Sequence, residues 1–177
     1  MIIIGVYAPY DSSDNNIKDD FYEDLNHVIS GIRTSYDIII AGDMNGRVKS
    51  RENNEIVGKY AEAVENNSEE RLLELCSEHQ LKLMNTYFPH KDIHRFTWER
   101  PSLNQKSIID YIKARTKSEF RVNDARVKRG ANCGTDHHLL LATIVYPFPR
   151  KQNNLRLSEQ QTNNTTEKIS EIQNRVT

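Results

Sequence analysis

The chain has 177 residues, with 24 Lys and Arg against 25 Asp and Glu and a formal net charge of −1. That length suits one domain with a real core plus a tail rather than two ordinary domains, and the balanced charge excludes bulk attraction to polyanions, so any nucleic-acid binding must be local. No apolar run approaches the ~20 residues of a membrane span, and Met1-Ile2-Ile3-Ile4 is too short and lacks basic flanks for a signal peptide. The expected protein is therefore soluble and intracellular, nuclear or cytoplasmic, with no membrane partner.

In chain order, the β-branched run Ile2–Tyr7 reads as a buried strand from its first residues. Pro9 and the Asp/Ser/Asn-rich residues 11–16 then form a loop. A helix follows behind Asp19 and Asp20, with Phe21, Leu25, Val28, Ile29 and Ile32 on its buried face. Residues 36–41 form a second buried strand, which Gly42-Asp43-Met44-Asn45-Gly46 ends abruptly at a position that ligand sites favour in α/β sheets. Residues 47–66 lack a clear period and read as an irregular surface loop, with a short helical turn over Tyr60, Ala61 and Val64 as an option. Asn67 and Glu70 resemble a capping pair ahead of a second helix carrying Leu72, Leu73 and Cys76. Strands are expected over residues 81–86, 95–99, 107–113 and 119–127 and over Leu139–Val145. This mixture is an α/β domain over residues 1–149, followed by a polar tail over residues 150–177 that is disordered or partly helical. Cys76 and Cys133 lack metal-ligand spacing and are read as reduced thiols.

Four polar clusters interrupt the apolar strands: Tyr7-Ala8-Pro9, Gly42-Asp43-Met44-Asn45, Ile109-Asp110-Tyr111-Ile112 and Thr135-Asp136-His137-His138. Each has a bland reading as a strand cap, a turn or an edge residue. Asp110 fits that reading least, because a carboxylate among isoleucines needs a donor or a cation. A histidine would serve, since an acid accepting one ring N–H fixes the tautomer and leaves the other nitrogen for a phosphate. Strand alternation sends His137 and His138 to opposite faces, and either could be that partner. Asp43 and Asn45, two apart, can project to one side and share a water, which is what phosphodiester hydrolysis asks of an acid and an amide.

In order and spacing, these four clusters resemble the endonuclease/exonuclease/phosphatase superfamily over residues 2–145. Gly42-Asp43-Met44-Asn45 is similar to its Gly-Asp-Phe-Asn, and Thr135-Asp136-His137 to its Ser-Asp-His. Arg71-Leu72-Leu73 with Asn85-Thr86, and Phe96-Thr97-Trp98, look most like LINE-type (non-LTR) retrotransposon endonucleases and the craniofacial development protein 2-like family derived from them. The resemblance implies a DNase I-like four-layer α/β sandwich, two packed sheets flanked by helices. It also implies a metal-dependent DNA endonuclease using Mg²⁺ or Mn²⁺, with DNA as partner. Carried over by position, it makes Asp43 the residue that orients or deprotonates water and Asn45 the residue that holds it against the phosphate. Asp136 with Asp43 becomes the metal carboxylate pair, His137 contacts the scissile phosphate, Asp110 orients His137, and Tyr7 donates to a phosphate oxygen. The superfamily's strand bearing an asparagine and its Gln-Glu strand have no matching positions here, so the chain is expected to be the C-terminal two-thirds of such a domain. Tyr10 departs from the small polar residue common after the proline. A second reading is a non-catalytic remnant that binds nucleic acid or protein.

Trp98 and Phe96 share one face if Phe-Thr-Trp is extended. They are read as core, with base stacking beside a basic surface of Arg121, Arg126, Lys128 and Arg129 as the alternative. The Lys128-Arg129-Gly130 turn either places positive charge near a phosphate or is a solvated loop.

Overall fold

The run Ile38-Ile39-Ile40 is β-branched throughout, which favours a pleated, buried strand. It forms the first half of β2 (Ile38–Asp43), whose alternate side chains enter two different cores. In the computed structural model, which describes residues 1–51, 54–131 and 134–147, β2 lies inside a four-stranded sheet. Its neighbours are β1 (Ile2–Tyr7), parallel to it, and β6 (Asp110–Arg115), antiparallel, with β3 (Leu81–Leu83) on the far side of β6. Residues Met1–Tyr146 form one compact unit. The tail expected over residues 150–177 and Cys133 lie outside the described residues.

Two helices cover one face of the sheet. Tyr22, Leu25 and Ile29 of α1 (Asn15–Ser30) and Leu72, Leu75 and Cys76 of α2 (Ser68–Glu78) pack with Ile38, Ile40, Leu81, Leu83 and Tyr111. On the other face, Ile39, Ile112 and Ala114 meet a second sheet, the antiparallel pair β7 (Arg121–Lys128) and β8 (Leu139–Val145). A small hairpin of β4 (Trp98–Arg100) and β5 (Gln105–Ser107) completes the strands. This is the DNase I-like α/β arrangement, of which the described residues build the helical layer and the two packed sheets.

Several sequence expectations change in the folded chain. β1 has the expected bounds but is only half buried, because it is an edge strand. Ile4 and Val6 meet the helical core, while Ile3 and Tyr7 are 65% and 62% exposed. α1 begins at Asn15, four residues before Asp19, because its buried stripe is Lys18, Tyr22, Leu25 and Ile29, and Val28 faces solvent. The Asn67 and Glu70 capping pair does not form: the Asn67 Oδ1 accepts instead from Lys18 Nζ (2.8 Å) and Arg71 (3.1 Å). The stretch around residues 47–66 is irregular but not superficial, since Val48, Val57 and Ala61 enter the core.

The strand expected over residues 81–86 stops at Leu83, and Met84–Thr86 turns as a 3₁₀ helix. There Asn85 spends its amide on β6, donating to the Asp110 carbonyl (3.2 Å) and accepting from the Ile112 N–H (3.3 Å). The strand expected over residues 95–99 begins only at Trp98, and that over residues 107–113 divides into β5 and β6 at Ile108-Ile109. Gly42 carries a φ of +145°, and a Cβ there would lie 1.9 Å from the Val6 carbonyl oxygen. Only glycine lets β1 and β2 approach so closely beside the site.

Candidate active site

Sheet register alone assembles half of the site. Asp43, the last residue of β2, is the antiparallel partner of Asp110, the first of β6, and the parallel partner of Tyr7, the last of β1. By alternation with Ala41 and Ile112, both acids belong to the face that carries the second core. The Met44 N–H donates to the Ile109 carbonyl (2.9 Å) and the Ala8 N–H to the Asp43 carbonyl (2.8 Å), so pairing continues just past the acids. The chain then turns sharply. The Asn45 N–H donates to Asp43 Oδ1 (2.8 Å) with Asn45 in the left-handed region at φ +46°, a conformation asparagine adopts more readily than most residues. The Asn45 side-chain amide donates to the Ala8 carbonyl (2.9 Å), and the Asn45 backbone carbonyl accepts from Asn66 Nδ2 (2.9 Å).

The other half comes from residues 134–138, held in place through Thr97. The fully buried Thr97 hydroxyl accepts the N–H groups of Ile109 and Asp110 (3.1 Å each), and its carbonyl accepts the His138 N–H (2.7 Å). Trp98 and His137 form an isolated antiparallel bridge, and the His137 N–H donates to Thr135 Oγ1 (3.1 Å). These bonds bring the His137 ring between the two acids. Its Nδ1 is 3.0 Å from Asp110 Oδ2 and its Nε2 is 3.9 Å from Asp43 Oδ2. His138 turns the other way, with Nε2 3.5 Å from Glu99 Oε2.

Burial pushes the Asp43 carboxyl above the usual carboxylate range. The Asp110 charge adds to this, while the Asn45 N–H, His137 and Lys113 oppose it. Asp136 is held below that range, chiefly by the Trp98 Nε1–H donating to its Oδ2 (2.7 Å). Tyr7, Asp43, Asn45, Asp110, Asp136, His137 and Trp98 all line one open cavity of about 910 Å³. Phe96 does not share the Trp98 environment, because residues 96 and 97 precede the strand. Its ring lies under Lys106 and Arg95 and packs against the helical core.

The basic residues are not gathered there. Arg129 makes a bidentate pair with Glu99 (2.7 Å for each bond) and donates to the Ile93 carbonyl. Arg126 pairs with Asp124, and Arg121 bonds Asn123. Lys128 ends β7, and neither it nor Arg129 lines the cavity. Among the described residues the cavity's one arginine is Arg47, whose guanidinium is 2.6 Å from the buried Glu62. Sequence reasoning passed over Arg47, Asn66, Ser107 and the site role of Tyr10. Tyr10 and Arg47 lie within three residues of motif positions, a signal that could have found them. Asn66 and Ser107 arrive by long-range folding and carry no local signal.

Among the described residues, the tightest group of potential ligand atoms is Asp43, Asp110 and His137, whose donors lie within 4.8 Å of one another. An acid, an amide and an acid-braced imidazole thus meet at the end of the four-stranded sheet, at positions where the sequence resembles the DNase I-like superfamily. A family model described as endonuclease-reverse transcriptase matches residues 1–141, and the chain belongs to that family. It is similar to craniofacial development protein 2 of Bos taurus, 35% identical over 143 residues that cover 80% of this chain and 24% of that protein. Against craniofacial development protein 2 of Tragulus javanicus it is 34% identical over 143 residues, 80% of this chain and 25% of the relative. The chain thus spans about a quarter of the length of these curated relatives. Among the described residues, no helix is long and apolar enough to cross a membrane.

Proposed function

We propose that the chain is a retrotransposon-type endonuclease that hydrolyses DNA phosphodiester bonds with Mg²⁺ or Mn²⁺. The observation that carries this reading is the His137 ring bonded through Nδ1 to Asp110 and facing Asp43 through Nε2, at the floor of an open cavity. Asp110 accepts the Nδ1 proton, so Nε2 presents either a lone pair or, when protonated, a stabilised N–H to a phosphoryl oxygen. Asp43, raised in pKa by burial, is placed to take a proton from the attacking water, which the Asn45 amide helps to orient. The water oxygen forms the new bond to phosphorus, and the 3′ or 5′ oxygen leaves with the bonding electron pair and takes its proton from solvent water.

A hard divalent cation fits this donor set. A buried acid pressed by a second acid needs positive charge beside it. By resemblance Asp43 and Asp136, which both line the cavity, are the carboxylates that would hold the ion. When bound, it would supply charge neutralisation at the phosphoryl oxygens and the leaving group.

Nicking of supercoiled plasmid with Mg²⁺, with and without EDTA, beside His137→Ala tests the reading. The expected result is metal-dependent nicking that the variant loses. Folded chain that retards DNA without nicking it overturns catalysis and favours the non-catalytic binding module.

A further inference from the structure

Asp11, Asp43, Asp110 and Asp136 line the cavity, and among the described residues the only guanidinium or ammonium there is that of Arg47. Its backbone is fixed by Asn66, whose Oδ1 accepts the Arg47 N–H (2.9 Å) and whose N–H donates to the Arg47 carbonyl (3.3 Å). Its side chain lies against Glu62, with Nη2 2.6 Å from Oε2 and Nε 3.4 Å from Oε1. Glu62 is buried and firmly placed: its Oε1 also accepts the Ile108 N–H (2.7 Å), and its own N–H donates to the Val48 carbonyl (3.1 Å). A guanidinium carries five N–H donors and no acceptor, so the direction of donation is fixed by its chemistry. Glu62 occupies the Nε and Nη2 edge. The Nη1 hydrogens make no bond to a described residue, and the side chain is 35% exposed. Arg47 is also the one described residue that lines both this cavity and a second, of about 660 Å³, where Lys49, Arg95 and Lys106 face Asp92 and Glu62.

We propose that Arg47 binds a phosphate of the nucleic-acid strand beside the one being cleaved, where the strand leaves the site for the second cavity. This rests on the phosphodiesterase reading above. Asp43 and His137 line the first cavity alone, so a strand running from them into the second passes Arg47. The remaining Nη1 and Nη2 hydrogens can take two phosphate oxygens at once. Glu62 is a positioning residue: by holding one edge of the guanidinium it turns the other outward and orders the side chain before DNA arrives. A chain of net charge −1 must bind a polyanion locally, and the second cavity is a place beside the site where cations outnumber acids.

Arg47→Met alone would strand the Glu62 carboxylate in the interior, so the test compares Glu62→Gln with the double variant Arg47→Met, Glu62→Gln. Wild type and Lys117→Met stand beside them, Lys117 being an exposed cation beyond the end of β6 that is far from Asp110. Anisotropy of two fluorescein-labelled DNA duplexes of unrelated sequence is followed against KCl concentration, in EDTA and in Ca²⁺. The double variant is expected to bind both duplexes about tenfold more weakly than Glu62→Gln, as for a hydrogen bond to a charged group. Its plot of log K against log[KCl] should be shallower by about 1, the mark of one phosphate contact. Lys117→Met should keep the wild-type slope. Arg47→Lys, which leaves Glu62 a cation, serves if the double variant does not fold: it should weaken both duplexes severalfold, because an ammonium lacks the fork that reaches Glu62 and a phosphate together. Equal binding by Glu62→Gln and the double variant, or by wild type and Arg47→Lys, overturns the contact. So does a loss confined to one duplex, which is base readout, or an equal loss in Lys117→Met, which is bulk charge. Each of those results leaves the phosphodiesterase reading to plasmid nicking. A wild type that binds neither duplex removes the contact, whereas one that binds with the Arg47-dependent slope and does not nick keeps the contact and removes catalysis.

Discussion

On its helical face the four-stranded sheet is sealed: Ile38, Ile40, Leu81, Leu83 and Tyr111 disappear beneath α1 and α2. On the opposite face Ile39, Ala41, Ile112 and Ala114 pack toward β7 and β8, and Ile3 and Tyr7 remain open to solvent. The same strands serve both faces, so the contrast is one of alternation rather than of segment. Burial on one side supplies the stability that lets the other side carry acids at its margin, where Asp43 is buried enough for its carboxyl to be pushed above the usual range and still lines an open cavity.

The sharpest separation of the two faces comes from Asp43→Asn. Cleavage should fall by about 10³-fold or more, since the base is gone, while stability at neutral pH rises when measured in EDTA. The sign follows from the raised pKa. The folded state binds this proton more tightly than the unfolded chain does, so wild-type stability from this group is present at low pH and is lost as pH rises through the folded value. The amide is indifferent to that change. Urea melts of both proteins across the acid range check it, and a less stable variant at pH 7 would contradict it.

Leu72→Ala strikes the sealed face. A fully buried leucine under the sheet should cost about 2–5 kcal/mol in urea denaturation and leave cleavage per folded molecule unchanged.

Lys113 is the exception on that face: fully buried, with no hydrogen-bond partner for its Nζ among the described residues, and pushed down to about 8 by burial. Lys113→Met should therefore gain roughly 3 kcal/mol at pH 7. Because the unfolded chain holds this proton up to its ordinary value near 10.5, the advantage should shrink between about pH 8 and 10.5. Paired melts at pH 7 and 10 read the difference, which cancels the buried tyrosines and Cys76 that titrate in both proteins.

The smallest effect belongs to the open face. Ile3→Thr should stay within about 0.5 kcal/mol in the same assay.

The acids and the histidine were visible in the sequence because each interrupts an apolar run, and the bounds of β1 and β8 because β-branched residues stop at Pro9 and Pro147. The half-burial of β1 was not visible. A strand that is apolar at every position carries no alternation to show which side faces water. Nor were Asn66 and Glu62, or the bonding role of Thr97 within its motif, which hold the site through bonds spanning 12 to 46 residues. The residues alone left His137 and His138 open and the resemblance chose His137; in the fold the Thr97 carbonyl takes the His138 N–H, and the His137 ring lies 3.0 Å from Asp110.

Among the described residues β1 pairs with β2 alone, so its other side carries unpaired backbone donors and acceptors beside an exposed isoleucine. A net charge of −1 gives copies of the chain little mutual repulsion to keep such edges apart. A lysine at position 3 would set a charge beside this ladder and hold two such edges apart in concentrated solution.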